Sequence, residues 1–277
     1  MNAASLIFPP ALYCLSCGKQ LSADAAAVPA GAARAFAGEA APLCASCLDE
    51  IPWVRGRLCE KCGKMLSEEN PGTFCGDCDG GAHVYGRGYA CALYAGRAAD
   101  LVRDMKYRDR AYTAEALAAV MAARYFAETD PATGEALYYD AITAIPMSRN
   151  KKARRGFDQA ALLARGLAKR IGIRYAEGLL ERKTDTAVMS SLGLSARMQN
   201  LRGTIAAGYG MIEKIKGKRI LLADDVYTTG SSADACADIL YGAGAARADV
   251  FVFAIGADGG TAKGLFKTEC AARTARL

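Results

Sequence analysis

One histidine, His83, is all this chain offers for imidazole chemistry, so any mechanism built on a histidine base has a single candidate. It sits beside a run of cysteines and reads as structural or incidental. Long apolar runs are missing too. No stretch nears the roughly 18 uninterrupted apolar residues that cross a bilayer, so no membrane span is expected. The opening MNAASLIFPPALYC lacks a basic n-region and is broken at Pro9 and Pro10. That makes a poor secretory signal, and a cytoplasmic location is the expectation. No G-x-x-x-x-G-K-[ST] is present, which excludes a P-loop. Gly242-Ala243-Gly244 ends a helical stretch instead of opening one and lacks a third spaced glycine, so it is no dinucleotide fingerprint.

What is there is the composition of a folded protein. The 277 residues are 52% hydrophobic and 23% charged, with room for one medium domain and a small one. The chain divides by texture. Residues 1–84 are Cys-rich and punctuated by Gly and Pro, with an Ala/Gly-rich stretch at Ala23–Ala41 that suits an insertion or short helix. Residues 85–277 alternate strand and helix patterns. Tyr89–Tyr94, Tyr138–Ile145, Leu179–Leu180, Arg219–Ala223 and Asp249–Ile255 read as strands. Ala98–Tyr107, Ala111–Ala127, Phe157–Ile171 and Ser231–Tyr241 read as helices. Lys183–Gly203 reads as a long basic, Ser-rich loop. The alternation predicts an α/β fold with a mostly parallel sheet.

Eight of the eleven cysteines fall in four Cys-x-x-Cys pairs: Cys14/Cys17, Cys44/Cys47, Cys59/Cys62 and Cys75/Cys78. A tight knuckle turn puts two thiolates on one ion at about 2.3 Å, and two knuckles complete a tetrahedron. This predicts two structural Zn²⁺ ions in a reducing compartment, in preference to a disulfide scaffold or four redox motifs. Twelve residues separate Cys62 from Cys75, near ribbon spacing, whereas twenty-six separate Cys17 from Cys44, which leaves a crossed pairing open. Cys91, Cys236 and Cys270 stand alone and read as packed small apolar residues.

The formal net charge is +6 with every thiol neutral. Each four-thiolate zinc site contributes −2, which would bring the total to about +2. The local signal is stronger. Between Arg149 and Arg202 thirteen Lys or Arg face four acids, a surplus of +9 that suits a polyanionic partner.

The most informative stretch is RILLADDVYTTGSSADA, Arg219–Ala235. An apolar strand runs into Asp224 and Asp225, followed by Val226, Thr228, Thr229, Gly230, Ser231 and Ser232, then a helix. At the carboxyl end of a parallel strand this groups acids and a helix N-terminus around one crevice. Backbone N–H groups and hydroxyls at 228–232 suit a phosphate, and Gly230 lets the backbone approach it. Two carboxylates can accept from a vicinal diol. Phosphate at one end and diol at the other describe a ribose 5-phosphate ligand.

This segment resembles the phosphoribosyl pyrophosphate (PRPP) motif of type I phosphoribosyltransferases. With the knuckles upstream, the chain resembles the ComF/GntX family over nearly its whole length. Supporting marks are LVRDMKY (Leu101–Tyr107), AIPMSRNKKARRGFDQ (Ala144–Gln159) and Arg197-x-x-Asn200-x-Arg202-Gly203. The resemblance implies a phosphoribosyltransferase-type sheet behind a small zinc-binding domain. It implies that Asp224 and Asp225 hold the ribose 2′- and 3′-hydroxyls and that Thr228–Ser232 form the 5′-phosphate loop. Pro146, Met147, Ser148 and Arg149 would lie near the β-phosphate, with Lys106, Arg154 and Arg155 as further anion contacts and Mg²⁺ accompanying PRPP. Two positions depart from the family: Asp158 stands where asparagine is usual, and Met189 aligns with a glutamine. The resemblance leaves three activities open. They are a phosphoribosyltransferase with an acceptor the sequence does not name, a protein of single-stranded DNA uptake during natural transformation, and a PRPP-sensing regulator.

Overall fold

The computed structural model describes residues 13–21, 43–81, 83–107, 111–130, 132–183 and 204–257. Met189, Arg197, Asn200, Arg202, Cys270 and the Ala23–Ala41 stretch lie outside the described residues. At its centre is a five-stranded sheet in which every pairing is parallel. It contains β1 (Gly88–Leu93), β2 (Ala141–Ala144), β3 (Arg174–Tyr175), β6 (Arg219–Tyr227) and β7 (Arg247–Ile255), in the order β1-β7-β6-β2-β3. Two short strands, β4 (Leu180–Arg182) and β5 (Ile205–Ala207), form a separate antiparallel pair. The expected α/β sheet is present.

Parallel strands buried on both faces need near-continuous apolar sequence, and β7 shows it: all but Arg247 of RADVFVFAI are buried. Alternation then sends neighbours to opposite faces. Leu221 and Ala223 of β6 join a core with α2 (Gly96–Tyr107), α3 (Thr113–Ala127) and α5 (Gln159–Ile171). Ile220 and Leu222 join another with α6 (Ser231–Gly242) and the Cys59–Cys78 region. The alanine-rich sequence of α3 has a packing role. A Cβ at Gly166 of α5 would come within 2.8 Å of the Ala118 Cβ of α3, so small residues let the two helices meet closely.

The N-terminal cysteine region is packed on this unit. A short helix, α1 (Ala45–Asp49), carries Cys47 and Leu48 into the first core. Gly88 at the start of β1 lies against the Cys59/Cys62 knuckle, where a Cβ would meet the Cys62 carbonyl oxygen at 2.7 Å.

Several elements were not read from the sequence, β3 and β5 among them. The most charged is Arg149–Arg155, which forms the helix α4, capped by Ser148, whose hydroxyl accepts from the Lys151 N–H, and ended by left-handed Gly156. RNKKARR has no apolar residue but Ala153 and none of its residues is buried. A helix without a buried stripe has no period to read. The motif strand is also longer than read. β6 continues through both acids to Tyr227, paired with β7 as far as Ile255.

Candidate functional site

The cysteines group in chain order. Cys14, Cys17, Cys44 and Cys47 form one set, and Cys59, Cys62, Cys75 and Cys78 the other, with the sulfurs of each set within 4.8 Å of one another. The crossed pairing left open by the spacing is not the one adopted. Four sulfurs placed tetrahedrally at about 2.3 Å from one ion stand about 3.8 Å apart. Cys17 and Cys44 are 3.8 Å apart and Cys62 and Cys75 3.6 Å, so both sets fit Zn²⁺ and neither is a disulfide. Protein sulfur supplies all four positions, which leaves none for water and makes the sites structural.

The thiols of the second set are electrostatically interlocked. Cys59 is held far below the usual thiol range by hydrogen bonds from Cys62, Cys75 and Cys78. Cys62 and Cys78 are pushed far up, first by their bonds to Cys59. Such a set ionises fully only around a cation. Lys64, 4% exposed and ion-paired with Asp77, places a positive charge beside these sulfurs. Burial disfavours that charge, but Asp77 and the nearby Cys62 and Cys75 outweigh it and raise the Lys64 pKa. Nothing in the spacing marks Lys64 out. Cys91 and Cys236 are buried free thiols, as expected of packed apolar residues.

The second feature is a crevice set by topology. From β2 the chain moves outward to β3 by way of α4 and α5. From β6 it moves outward in the other direction to β7 by way of α6. The strand order therefore reverses between β6 and β2, which pair directly with Ala144 opposite Ala223. In open α/β sheets ligands bind outside the carboxyl ends of the strands at such a switch point. Both loops singled out in the sequence emerge there: 145–148 after β2 and 228–230 after β6.

The β6 loop is built to leave donors free. Gly230 sits at φ 77° as the N-cap of α6 and brings no side-chain cap, so the first-turn N–H groups have no capping acceptor of that kind. Thr229 and Ser231 hydroxyls are 3.0 Å apart, and Thr228 is exposed. Beside them Asp225 is 7% exposed and Asp224 is partly buried, with one carboxylate oxygen accepting from the Asp225 N–H at 2.8 Å. Burial, then the neighbouring Asp225 charge, pushes the Asp224 carboxyl up to about 8, against the opposing pull of the Asp225 N–H and Lys106. Lys106, in the last turn of α2, bonds Asp225 at 2.8 Å. Of the expected anion contacts, Lys106 is thus held on the acidic pair. Val226 continues the strand and packs toward the first core.

On the β2 side lies a cleft of about 330 Å³, lined among others by Pro146, Met147, Arg149, Lys152, Tyr175 and Arg182. Pro146, Met147 and Arg149 are therefore brought together, while Ser148 is buried and its hydroxyl caps α4. Asp158, which also lines this cleft, caps α5 by accepting from the Ala161 N–H at 3.0 Å. Asparagine does that equally well, so this departure from the family is neutral for the fold.

Fold and site together define a parallel α/β protein with a crevice at its switch point and two four-cysteine zinc modules at its N-terminus. The model for the double zinc ribbon domain matches residues 3–79. The chain is similar to DNA utilization protein YhgH of Salmonella typhimurium, 28% identical over 209 residues covering 76% of this chain and 88% of that protein. It is also similar to Competence protein F of Haemophilus influenzae, 24% identical over 212 residues covering 71% and 90%. The ComF-type resemblance read from the sequence is borne out by these relatives. Solved structures similar to it include a glutamine PRPP amidotransferase from B. subtilis complexed with ADP and GMP. That chain is 21% identical, with a TM-score of 0.33 and coverage of 50% of this chain and 25% of that one. An adenine phosphoribosyltransferase from Leishmania donovani is 15% identical, with a TM-score of 0.33 and coverage of 56% and 68%.

Proposed function

We propose that residues 85–277 form a domain that binds PRPP with Mg²⁺, behind a zinc-binding domain of residues 1–84, and that the protein acts in the cytoplasm in DNA uptake. The observation that carries the ligand is the continuous path from the acidic pair of β6 through Thr228–Ser232 to the uncapped N-terminus of α6 at the sheet's switch point. Asp224 and Asp225 accept from the ribose hydroxyls, and the 228–232 amides and hydroxyls take the 5′-phosphate. The loop at Pro146–Arg149 approaches the pyrophosphate. Lys106 exchanges its Asp225 partner for that anion as the ligand enters. The carboxylates are hard oxygen donors of the kind Mg²⁺ takes, and Mg²⁺ neutralises pyrophosphate charge when bound. The competence and DNA-utilization names of the relatives support the biological role.

Calorimetry with PRPP–Mg²⁺, ribose 5-phosphate and pyrophosphate as separate titrants tests this. Asp224→Asn with Asp225→Asn removes two carboxylate acceptors, Asp224 giving up its proton as PRPP–Mg²⁺ enters, and should cost about 3–6 kcal/mol, or about two to four decades of PRPP affinity, with the fold intact. Unchanged affinity in the double variant would mean the ribose site is elsewhere. Release of pyrophosphate with a nucleobase present would add transferase activity to binding.

A further inference from the structure

The segment that joins the second cysteine set to β1 has no part in the reading above. His83 lies in it, with a side chain wholly buried. Its Nδ1 is 2.7 Å from Asp234 Oδ2 and its Nε2 3.2 Å from the Tyr227 hydroxyl, which is 2.7 Å from that of Tyr85. The Val84 N–H donates to the other Asp234 oxygen at 2.7 Å. These contacts form one continuous chain of hydrogen bonds, from the Tyr85 hydroxyl through the Tyr227 hydroxyl and the His83 ring to Asp234.

What this cluster holds is the loop of the crevice. Tyr227 is the last residue of β6 and Asp234 lies in the first turn of α6, so they bracket residues 228–232. The loop backbone also rests on the cluster. A Cβ at Gly230 would meet the Tyr227 hydroxyl at 2.4 Å and His83 Cε1 at 2.8 Å. At its other end the segment is tied to the second cysteine set. Lys61, between Cys59 and Cys62, donates from Nζ to the Tyr85 carbonyl, and its own carbonyl accepts from the Gly88 N–H at 2.7 Å. Tyr85 and Tyr227 share one core with Cys59, Cys62, Cys75 and Cys78, whereas Cys14, Cys44 and Cys47 pack in the core on the other face of the sheet.

We propose that His83–Tyr85 is a strut through which zinc at the second site, and not at the first, holds the 228–232 loop in its anion-binding form, with His83 as a positioning residue. The part of this that concerns ligand affinity rests on the function proposed above. Coupling between two sites is reciprocal. PRPP–Mg²⁺ should therefore raise the equilibrium affinity of one of the two zinc ions, read by competition with a chelator, by the same factor by which that ion tightens PRPP.

Amide hydrogen exchange in the full-length protein tests the strut without any ligand. The variants are His83→Ala, His83→Asn (which keeps a donor toward Asp234), Cys75→Ser with Cys78→Ser, and Cys14→Ser with Cys17→Ser. Exchange at 228–232 should speed up at least tenfold in His83→Ala and in the second-site variant, and less in His83→Asn. It should not change in the first-site variant, and Val250–Ile255 of β7 should stay protected throughout. A merely structural role would speed β7 and the loop alike, and would leave PRPP affinity per folded molecule unchanged. Unchanged loop exchange in the second-site variant and in both His83 variants overturns the strut, as does an equal rise on first-site loss. Should His83→Ala fail to fold, His83→Asn and the second-site variant decide. If the wild type binds neither PRPP nor ribose 5-phosphate, the function proposed above fails while the exchange result still stands or falls by itself.

Discussion

Asp224 shows what a site of this kind costs the residues that form it. Its carboxyl ordinarily titrates near 3.8 and is pushed up to about 8 by burial and by Asp225. The folded protein therefore keeps a proton that the unfolded chain releases. That protonated carboxyl contributes fully to stability below about pH 4, and the contribution is lost as pH rises toward 8. Asparagine cannot ionise, so Asp224→Asn should raise the melting temperature of the ligand-free protein at pH 8. The gain should be on the order of 1 kcal/mol or more and should shrink to nothing near pH 4. Paired thermal melts of variant and wild type across that range read the difference, and a variant less stable at pH 8 than at pH 4 relative to wild type would contradict it. A carboxylate that destabilises the empty fold at pH 8 fits the binding role proposed above for Asp224.

At the scale of elements, α4 stands apart, with five cations in seven residues and no residue buried. It begins directly after the loop at the switch point, so the cations that would meet a pyrophosphate could also follow a nucleic-acid backbone. Non-specific single-strand binding should give log K falling with log[salt] by about 0.7 per phosphate neutralised. Replacing Lys151, Lys152, Arg154 and Arg155 with alanine should flatten that slope by roughly 2–3 units, since not all four need reach phosphates. Filter binding across a salt series, with and without PRPP–Mg²⁺, reads this and also shows whether the two ligands compete. No strand binding at low salt would place any DNA role on partners. Elements with an apolar period were legible in the sequence to within a few residues. α4 was not, because its sequence carries charge and no stripe; of the β4–β5 pair only the start of β4, at Leu179–Leu180, was read, because strands of three residues paired across 22 intervening positions leave little local pattern.

The described residues are organised around two cysteine modules and the five-stranded central sheet, and the modules are part of its packing. Their cysteines are distributed between the cores on the two faces of the sheet. Protein purified without added metal should carry zinc at a ratio near two per chain by elemental analysis. Stripping that zinc with a chelator should lower thermal stability by several kcal/mol, since metal binding energy is folding energy in such modules. A ratio near zero with freely titratable thiols under native conditions would remove zinc from the account.

Short windows of sequence determined a good deal by themselves: four knuckles, the apolar strands, and an acidic pair running into Thr-Thr-Gly. Each is a local device whose geometry is set by backbone turns and by side-chain periods of two or 3.6 residues. The tertiary structure decided which knuckles share an ion, where the strand order reverses, that Lys106 rests on Asp225, and that the one histidine lies under the 228–232 loop. His83 and Asp234 are 151 positions apart. No propensity or period in one window carries a contact at that separation. It exists because the sheet, once closed, brings the cysteine module and the end of β6 to the same place.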